Sequence, residues 1–172
     1  MRILTIANPQ DEKFLRTKTA PFDFSKFSPK ELNQLLANMR LTMKNHDGIG
    51  LAANQVGLNF QLFIVGLPNQ DAHTKFYYIF NPTITEHSPE TSSDYEGCLS
   101  VPNLSGLVKR SQAITVTAQN KQGKSIKLKV SGLLARVFQH EIDHLNGLLF
   151  IDKAKQVIDL SSNSKITNRR HD

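Results

Sequence analysis

One cysteine, Cys98, and no tryptophan occur among the 172 residues of this sequence. A single cysteine cannot form an internal disulfide, and a lone thiol suits a reducing compartment. No stretch is apolar enough to span a membrane, and the first residues lack the apolar segment and cleavage site of a secretion signal. We therefore expect a cytoplasmic protein that makes no membrane contact and is held together by an ordinary apolar core.

Charge of one sign is not concentrated in any segment. The formal net charge is +6 at pH 7, but the lysines and arginines do not form a run. We interpret this balance as a solvated surface and expect no direct nucleic-acid specificity. The length fits a single domain over residues 1–172, and the polar residues from about 161 to 172 predict a flexible tail.

The first half of the chain contains one clear helix signal. Ser28 and Glu31 form the pattern of a capping box around Pro29, which predicts a helix that begins there. Apolar residues then recur at helical spacing, namely Leu32, Leu35, Leu36, Met39 and Met43. Gly48 is expected to end this helix. Residues 1–27 are interpreted as an entry segment whose apolar patch ends at Pro9.

Short apolar or alternating runs predict strands over residues 62–65, 76–80, 114–118, 126–130 and 148–151. Asn81 and Pro82 are expected to close the second run, and the polar residues 86–94 are expected to form a loop. Gln122 and Gly123 predict a hairpin between the third and fourth runs.

A second helix is predicted from Leu133 to about residue 146, with Gly147 as its cap. It contains the sequence His-Glu-Ile-Asp-His over residues 140–144. In a helix, His140 and His144 lie one turn apart on one face, with Glu141 beside them. This H-E-x-x-H spacing is typical of two metal ligands and a general base. The alternative is two solvated histidines on a surface helix.

A catalytic metal needs a third protein ligand and an open position for water. The longer motif H-E-x-x-H-x-x-G-x-x-H requires a third histidine where this sequence has Phe150, so that class is excluded. A downstream carboxylate ligand would be Asp152 or Asp159, and neither lies in a convincing second helix. Cys98 remains, and its thiolate is a suitable ligand for Zn²⁺ or Fe²⁺.

Three motifs together resemble the peptide deformylase family, and they occur in the order found in that family. They are Gly-Ile-Gly-Leu-Ala-Ala-Asn-Gln at residues 48–55, Glu-Gly-Cys-Leu-Ser at residues 96–100, and His-Glu-Ile-Asp-His-Leu-Asn-Gly at residues 140–147. The resemblance implies an enzyme that removes the N-formyl group from the formylmethionine of new polypeptides. It also implies an α+β fold, with mixed, mainly antiparallel sheets around a central metal-binding helix.

The resemblance implies one divalent ion, with Fe²⁺ as the native metal and Zn²⁺, Ni²⁺ or Co²⁺ as substitutes. Cys98, His140 and His144 would hold it, and its bound water would attack the formyl carbon. Glu141 would act as the general base. By resemblance, the side chain of Gln55 and the backbone N–H of Leu99 would stabilise the oxyanion. These residues are the expected metal and catalytic residues of a single catalytic domain.

The substrate is expected to lie extended and to pair with the backbone at Ile49, Gly50 and Gly97, as a strand adds to a sheet edge. The two glycines among these residues have no side chain that would obstruct the approaching peptide. The methionine side chain needs an apolar pocket, for which Ile49, Leu133 and Val137 are the candidates. All three would otherwise be ordinary core residues.

Asp143 is neither ligand nor base, and we expect it to pair with Arg110 behind the ligands. Arg136 is expected to face away from the metal. The partner is the nascent formylmethionyl chain, and the protein is expected to be a monomer. The tail residues Lys165, Arg169 and Arg170 suggest a transient ribosome contact.

Two alternatives stay open at this point. The first is a zinc peptidase that cleaves internal peptide bonds, although the context of Cys98 argues against it. The second is a non-catalytic, ribosome-associated module with a structural metal. A structural metal site needs neither Glu141 nor Gln55, so their presence favours an enzyme.

Overall fold

A single helix contacts the strands of two antiparallel sheets in the computed structural model, which describes residues 1–68 and 74–161. This helix carries the H-E-x-x-H sequence. The described α-helices are α1 (Pro9–Leu15), α2 (Pro29–Asn45), α3 (Gly132–Leu145) and α4 (Phe150–Lys153). Short 3₁₀ helices cover Phe24–Lys26 and Ala53–Val56.

The larger sheet has five strands in the order β1-β2-β3-β6-β7, and the smaller has three in the order β4-β5-β8. The strands are β1 (Gly50–Ala52), β2 (Leu62–Pro68), β3 (Thr74–His87), β4 (Thr91–Cys98), β5 (Val101–Ser111), β6 (Ala113–Gln119), β7 (Ser125–Ser131) and β8 (Val157–Asp159). The pairs between the described strands are all antiparallel. The predicted α+β class is confirmed.

The core is built mainly on α3 and the larger sheet. Phe138 of α3 packs edge-on against Phe63 of β2, with ring centroids 5.0 Å apart, and both side chains are fully buried. Apolar residues of α2 cover the opposite side of the same strand, because Leu62 and Ile64 pack with Met39 rather than with α3. This alternation follows from the two-residue period of a strand, and it fixes α3 against the sheet.

The two helices predicted from sequence are confirmed. The backbone N–H of Ser28 donates to Glu31 Oε2 at 2.8 Å, and the Glu31 N–H donates to Ser28 Oγ at 3.3 Å, which completes the capping box. However, the predicted stop at Gly48 was displaced by one residue. Asp47 takes the left-handed conformation (φ 54°), while the Gly48 N–H donates to Met43 O at 3.0 Å.

Several predicted boundaries were wrong. Asn81 and Pro82 do not close a strand, because β3 continues through them with a bulge at which Asn81 has φ 49°. Most of the predicted loop over residues 86–94 belongs to β3 and β4. Residues 148–151 form no strand; Phe150 and Ile151 begin α4, and Asp152 Oδ2 accepts from the N–H of the N-cap residue Leu149 at 2.7 Å.

Further described elements were not predicted, among them α1, β5, β8 and one 3₁₀ turn. Asn8 caps α1 by accepting from the Gln10 N–H at 2.9 Å, so Pro9 begins a helix instead of ending a segment. β5 and β8 lack a clean alternation and are held by their partners. The 3₁₀ turn over Ala53–Val56 follows β1 directly.

The described residues contain no helix that is long and apolar enough to cross a membrane. The predicted tail beyond Ser161, including Lys165, Arg169 and Arg170, lies outside the described residues.

Candidate metal centre and active site

The metal-ligand candidates converge where α3 faces the end of β4. His140 and His144 lie one turn apart with ring centroids separated by 4.9 Å. Cys98 ends β4 after a register shift at Gly97, and its Sγ lies 3.1 Å from His144 Nε2. The three ligand atoms lie within 4.8 Å of one another. One thiolate and two imidazoles at these distances fit a single ion such as Zn²⁺ or Fe²⁺.

Glu96 holds the ring of His140 from behind. Its Oε2 lies 2.9 Å from His140 Nδ1, which leaves Nε2 of that ring for the metal. Arg110 donates to both oxygens of Glu96, and Arg136 Nη1 donates to Oε1 at 2.7 Å. Burial disfavours the charged carboxylate, but hydrogen bonds from His140 and Arg110 outweigh it and hold the pKa of Glu96 well below its usual range.

The two histidines differ in charge when no metal is bound. Burial lowers the pKa of His140, but hydrogen bonds to Cys98 and Glu96 outweigh it and raise that pKa to about 10. Burial and the neighbouring charge on His140 lower the pKa of His144 well below its usual value. Because a metal ligand must be neutral, a metal ion that binds His140 must displace a proton from this imidazole.

Glu141 lies against β1 in a pocket that only a glycine can form. A methyl group on Gly50 would lie 2.2 Å from Glu141 Oε1 and 2.9 Å from Val137 Cγ1. Glu141 is 3% exposed, and its Oε2 has no hydrogen-bond partner among the described residues. Burial raises the pKa of Glu141 to about 7. The carboxyl group is therefore able to exchange a proton near neutral pH.

Gln55 is oriented by the same stretch of chain. Its Oε1 accepts from the Ala52 N–H at 2.8 Å, so its amide nitrogen faces the metal-ligand candidates. Gln55 Nε2 lies 3.4 Å from Cys98 Sγ and 3.2 Å from Ser100 Oγ. Leu99 follows Cys98 in the turn between β4 and β5 and lines the same cavity. The structure thus brings both oxyanion candidates to the site.

A cavity of about 440 Å³ opens beside these groups. Val137 lies buried in its wall, whereas Ile49 and Leu133 are 43% and 57% exposed and border its opening. Ile49 and Leu133 are therefore not core residues. Gly50 and Gly97 also line the cavity, and a Cβ on Gly97 would meet no atom within 4 Å. We expected both glycines to leave space for a substrate peptide. This space is present at Gly97, whereas the space beside Gly50 is filled by the Glu141 side chain.

Asp143 and Arg110 lie behind the ligands, on the side of α3 away from the cavity. Arg110 Nη1 donates to Asp143 Oδ2 at 2.5 Å, and Lys153 Nζ donates to Asp143 Oδ1 at 2.6 Å. Both Arg110 and Asp143 are buried. The expected pair is present, and it continues through Arg110 to Glu96 and His140.

Sequence reasoning missed Glu96 and misplaced Arg136. Arg136 was expected to face away from the metal, but it is buried, lines the cavity and donates to Glu96. Two signals were available. Glu96 is two residues before Cys98 on one strand, and Arg136 is four residues before His140 on one helix. Their shared contact depends on how β4 and α3 pack, which spacing alone does not predict.

Comparison with known proteins gives one consistent answer. The polypeptide deformylase model matches residues 2–159. A peptide deformylase of Carboxydothermus hydrogenoformans is 45% identical over 125 residues, which make up 73% of this chain and 78% of that protein. A probable peptide deformylase structure from Synechococcus phage S-SSM7 has a TM-score of 0.80 at 43% identity, covering 89% of this chain and 99% of that one. An Acinetobacter baumannii peptide deformylase structure with Met-Ala-Ser bound has a TM-score of 0.80 at 32% identity, covering 89% and 97%.

The predicted resemblance is confirmed over nearly all of the described chain, and the residues that the family model matches include the cysteine, both histidines and the glutamate. This chain belongs to the polypeptide deformylase family.

Proposed function

We propose that this protein is a single-domain, metal-dependent hydrolase that removes the formyl group from the N-terminal formylmethionine of newly made polypeptides. The observation that carries the proposal is the convergence of Cys98, His140 and His144 beside a buried carboxyl group, Glu141, that has no hydrogen-bond partner among the described residues. Three ligands suffice for a catalytic ion that also needs an open position. The unpartnered carboxyl group at a pKa of about 7 suits a general base.

Each residue has a definable task in the hydrolysis. A bound divalent ion supplies Lewis acidity, which polarises the formyl carbonyl and lowers the pKa of water. Glu141 takes the proton of the attacking water on a carboxylate oxygen and later gives it to the departing amine. The Gln55 amide N–H and the Leu99 backbone N–H donate to the oxygen on which negative charge develops. Gln55 is suited to this task because its Oε1 is already occupied by the Ala52 N–H.

The substrate lies extended across the opening and pairs with the backbone at Ile49, Gly50 and Gly97. Its methionine side chain enters the cavity against Val137, with Ile49 and Leu133 covering it from the solvent side. The open space at Gly97 leaves room for the peptide backbone. Met-Ala-Ser, the ligand of the Acinetobacter structure, is a peptide that begins with methionine.

Asp143 and Arg110 keep the ligand side of α3 in place. Arg110 bonds Glu96 and Asp143 at the same time, so one buried cation joins the group that orients His140 to the helix that carries it. We assign the pair a positioning task, because neither side chain lies among the residues that line the cavity.

Fe²⁺ is the metal that we propose for the cell, with Zn²⁺, Ni²⁺ or Co²⁺ as functional substitutes. A thiolate with two imidazoles accepts all four ions. We place the protein in the cytoplasm as a monomer that acts on nascent chains, with a transient ribosome contact.

The decisive test compares formyl-Met-Ala-Ser with acetyl-Met-Ala-Ser and with a longer peptide that has a free N-terminus. The enzyme, loaded with Fe²⁺ under anaerobic conditions, should release formate from the first peptide and leave the other two intact. Cleavage of an internal bond in the third peptide would instead indicate a peptidase. A protein that binds metal but cleaves none of the three would indicate a binding module.

A further inference from the structure

Asn54 is a fully buried polar residue that lies directly beside the metal-ligand candidate His144. Both residues are 0% exposed. Asn54 Nδ2 donates to the backbone oxygen of His144 at 2.5 Å and lies 3.5 Å from the backbone oxygen of Leu15. The side-chain amide therefore joins the end of α3 to the end of α1.

Two polar atoms of this pair have no hydrogen-bond partner among the described residues. They are Asn54 Oδ1, which accepts, and His144 Nδ1, which carries a proton when Nε2 faces the metal. A buried polar group without a partner costs about 1–3 kcal/mol. Asn54 and His144 are already in contact through another hydrogen bond. The unpartnered acceptor of Asn54 could therefore satisfy the unpartnered donor of His144.

The orientation of the Asn54 amide is fixed by its surroundings. Rotating the amide by 180° would place Oδ1 against the carbonyl oxygens of His144 and Leu15, which cannot donate a hydrogen bond. The amide oxygen must therefore point away from both carbonyls. The ring of His144 is fixed as well, because its Nε2 lies 3.1 Å from Cys98 Sγ.

We propose that Asn54 is a positioning residue for His144, whose Nδ1–H donates to Asn54 Oδ1 through one enclosed water molecule. A water that bridges two buried polar groups is an ordinary structural component. The proposal rests on the metal site of the proposed function and adds an orienting partner for its second imidazole.

The two imidazole ligands would then be held by different chemistry. Glu96 accepts from His140 directly with a carboxylate, whereas the bridging water would accept from His144 and donate to the neutral amide oxygen of Asn54. A charged acceptor makes the imidazole a stronger electron donor to the metal than a neutral one does. The neutral acceptor mainly fixes the ring plane of His144 and its Nδ1–H tautomer.

Two substitutions of Asn54 separate this role from simple packing. Asn54→Leu keeps the number and branching of the side-chain heavy atoms but offers no acceptor and excludes water, so the Nδ1–H of His144 loses its acceptor. Asn54→Ala leaves a space in which water can still accept that hydrogen bond. We expect Asn54→Leu to bind Zn²⁺ about 10- to 100-fold more weakly than the unaltered protein, and Asn54→Ala to lose less. A packing role predicts the opposite order, because alanine leaves the larger cavity.

Thr19→Val is the matched control. Thr19 is buried, and its Oγ1 donates to the backbone oxygen of Leu145 at 2.9 Å, next to His144. Thr19 thus tethers the same end of α3 without a part in the ring contact. We expect this variant to lose thermal stability but to keep the Zn²⁺ affinity and the Co²⁺ absorption spectrum of the unaltered protein.

The measurement is competition for Zn²⁺ with a chromophoric chelator, supported by the d–d spectrum of Co²⁺. Equal affinities for Asn54→Leu and Thr19→Val, or a greater loss in Asn54→Ala than in Asn54→Leu, would overturn the proposal. If the unaltered protein binds no zinc, the proposed metal site itself fails.

A second readout covers the case in which Asn54→Leu does not fold. In the zinc-loaded protein labelled with ¹⁵N-histidine, the His144 Nδ1–H should exchange slowly with solvent. Its exchange should be faster in Asn54→Ala, and unchanged rates would contradict the proposal.

Discussion

Gly50 and Glu141 fit together so closely that a methyl group on the glycine would lie 2.2 Å from the carboxylate oxygen. The space beside Gly50 is therefore filled by the side chain of Glu141, the proposed general base, which packs against the backbone of β1. Val137 Cγ1 would lie 2.9 Å from the same methyl group, so a side chain at position 50 would clash with two residues of α3. The residue type at position 50 thus determines the position of the Glu141 carboxylate, 91 residues later in the sequence.

We predict that Gly50→Ala moves the Glu141 carboxylate and lowers kcat by about 100-fold, the scale of general-base catalysis. The nearest atoms to the added methyl group belong to Glu141 and Val137, neither of which is a metal-ligand candidate, so the bound metal should remain. Steady-state kinetics with formyl-Met-Ala-Ser and metal analysis of the same sample would measure both quantities.

Gly97→Ala is the control for this substitution, because a Cβ there would meet no atom within 4 Å. It should keep the stability and kcat of the unaltered enzyme and raise KM, since the methyl group enters the path of the substrate. A kcat loss of the same size in both variants would contradict the role assigned to Gly50.

Burial raises the pKa of Glu141 to about 7, and this predicts the pH profile of the enzyme. Below that pH the carboxyl group is protonated and cannot accept a proton from water, so kcat/KM should rise with pH through about 7 and then level. Glu141→Gln should retain the metal, lose at least about 100-fold in kcat and show no such rise in its residual activity. Unchanged turnover in Glu141→Gln would show that Glu141 is not the general base.

The parts of the structure that sequence predicted are those with strong local signals. The capping box at Ser28 and the glycine turn at Gly123 specify their elements within a few residues. The spacing of His140 and His144 is likewise a property of one helix. Cys98 required a further step, because the third ligand was found by excluding Phe150 and two aspartates.

Other features depend on contacts that are distant in sequence. The strand β8 exists because it pairs with β5 about 50 residues earlier. An arginine on a helix is usually exposed, and Arg136 is buried because Glu96 lies 40 residues away in sequence but 2.7 Å away in space. Neither feature has a local pattern from which it could be predicted.

Glu96 neutralises two buried arginines, and its replacement should be costly. We predict that Glu96→Gln lowers the free energy of unfolding by about 3–5 kcal/mol, because Arg110 and Arg136 would keep buried charges with too few partners. Urea denaturation at neutral pH would measure this loss. Glu86→Gln is the control, since its pair with Lys127 is 3.7 Å long and 65% exposed on both sides, and it should change stability by less than about 1 kcal/mol.

The same carboxylate predicts loss of stability in acid. The pKa of Glu96 is well below its usual value in the folded protein, so the stabilisation is complete above the unfolded pKa of about 4.3 and is lost as the pH falls below it. Glu96→Gln should therefore flatten the decline of unfolding free energy between about pH 4 and pH 2. An identical decline in both proteins would show that other groups control acid unfolding.

Metal binding should release a proton from His140. The pKa of this imidazole is raised to about 10 by Cys98 and Glu96, whereas a metal ligand must be neutral. Zn²⁺ affinity should therefore increase with pH, by up to about tenfold per unit for each proton displaced. Calorimetric titration in two buffers with different ionisation enthalpies would count the protons released.

Glu96→Gln removes one of the groups that raise the pKa of His140, so this variant should release fewer protons at the same pH. Equal release from both proteins would mean that Glu96 does not hold the proton on His140, and that its contact with Nδ1 serves only to orient the ring.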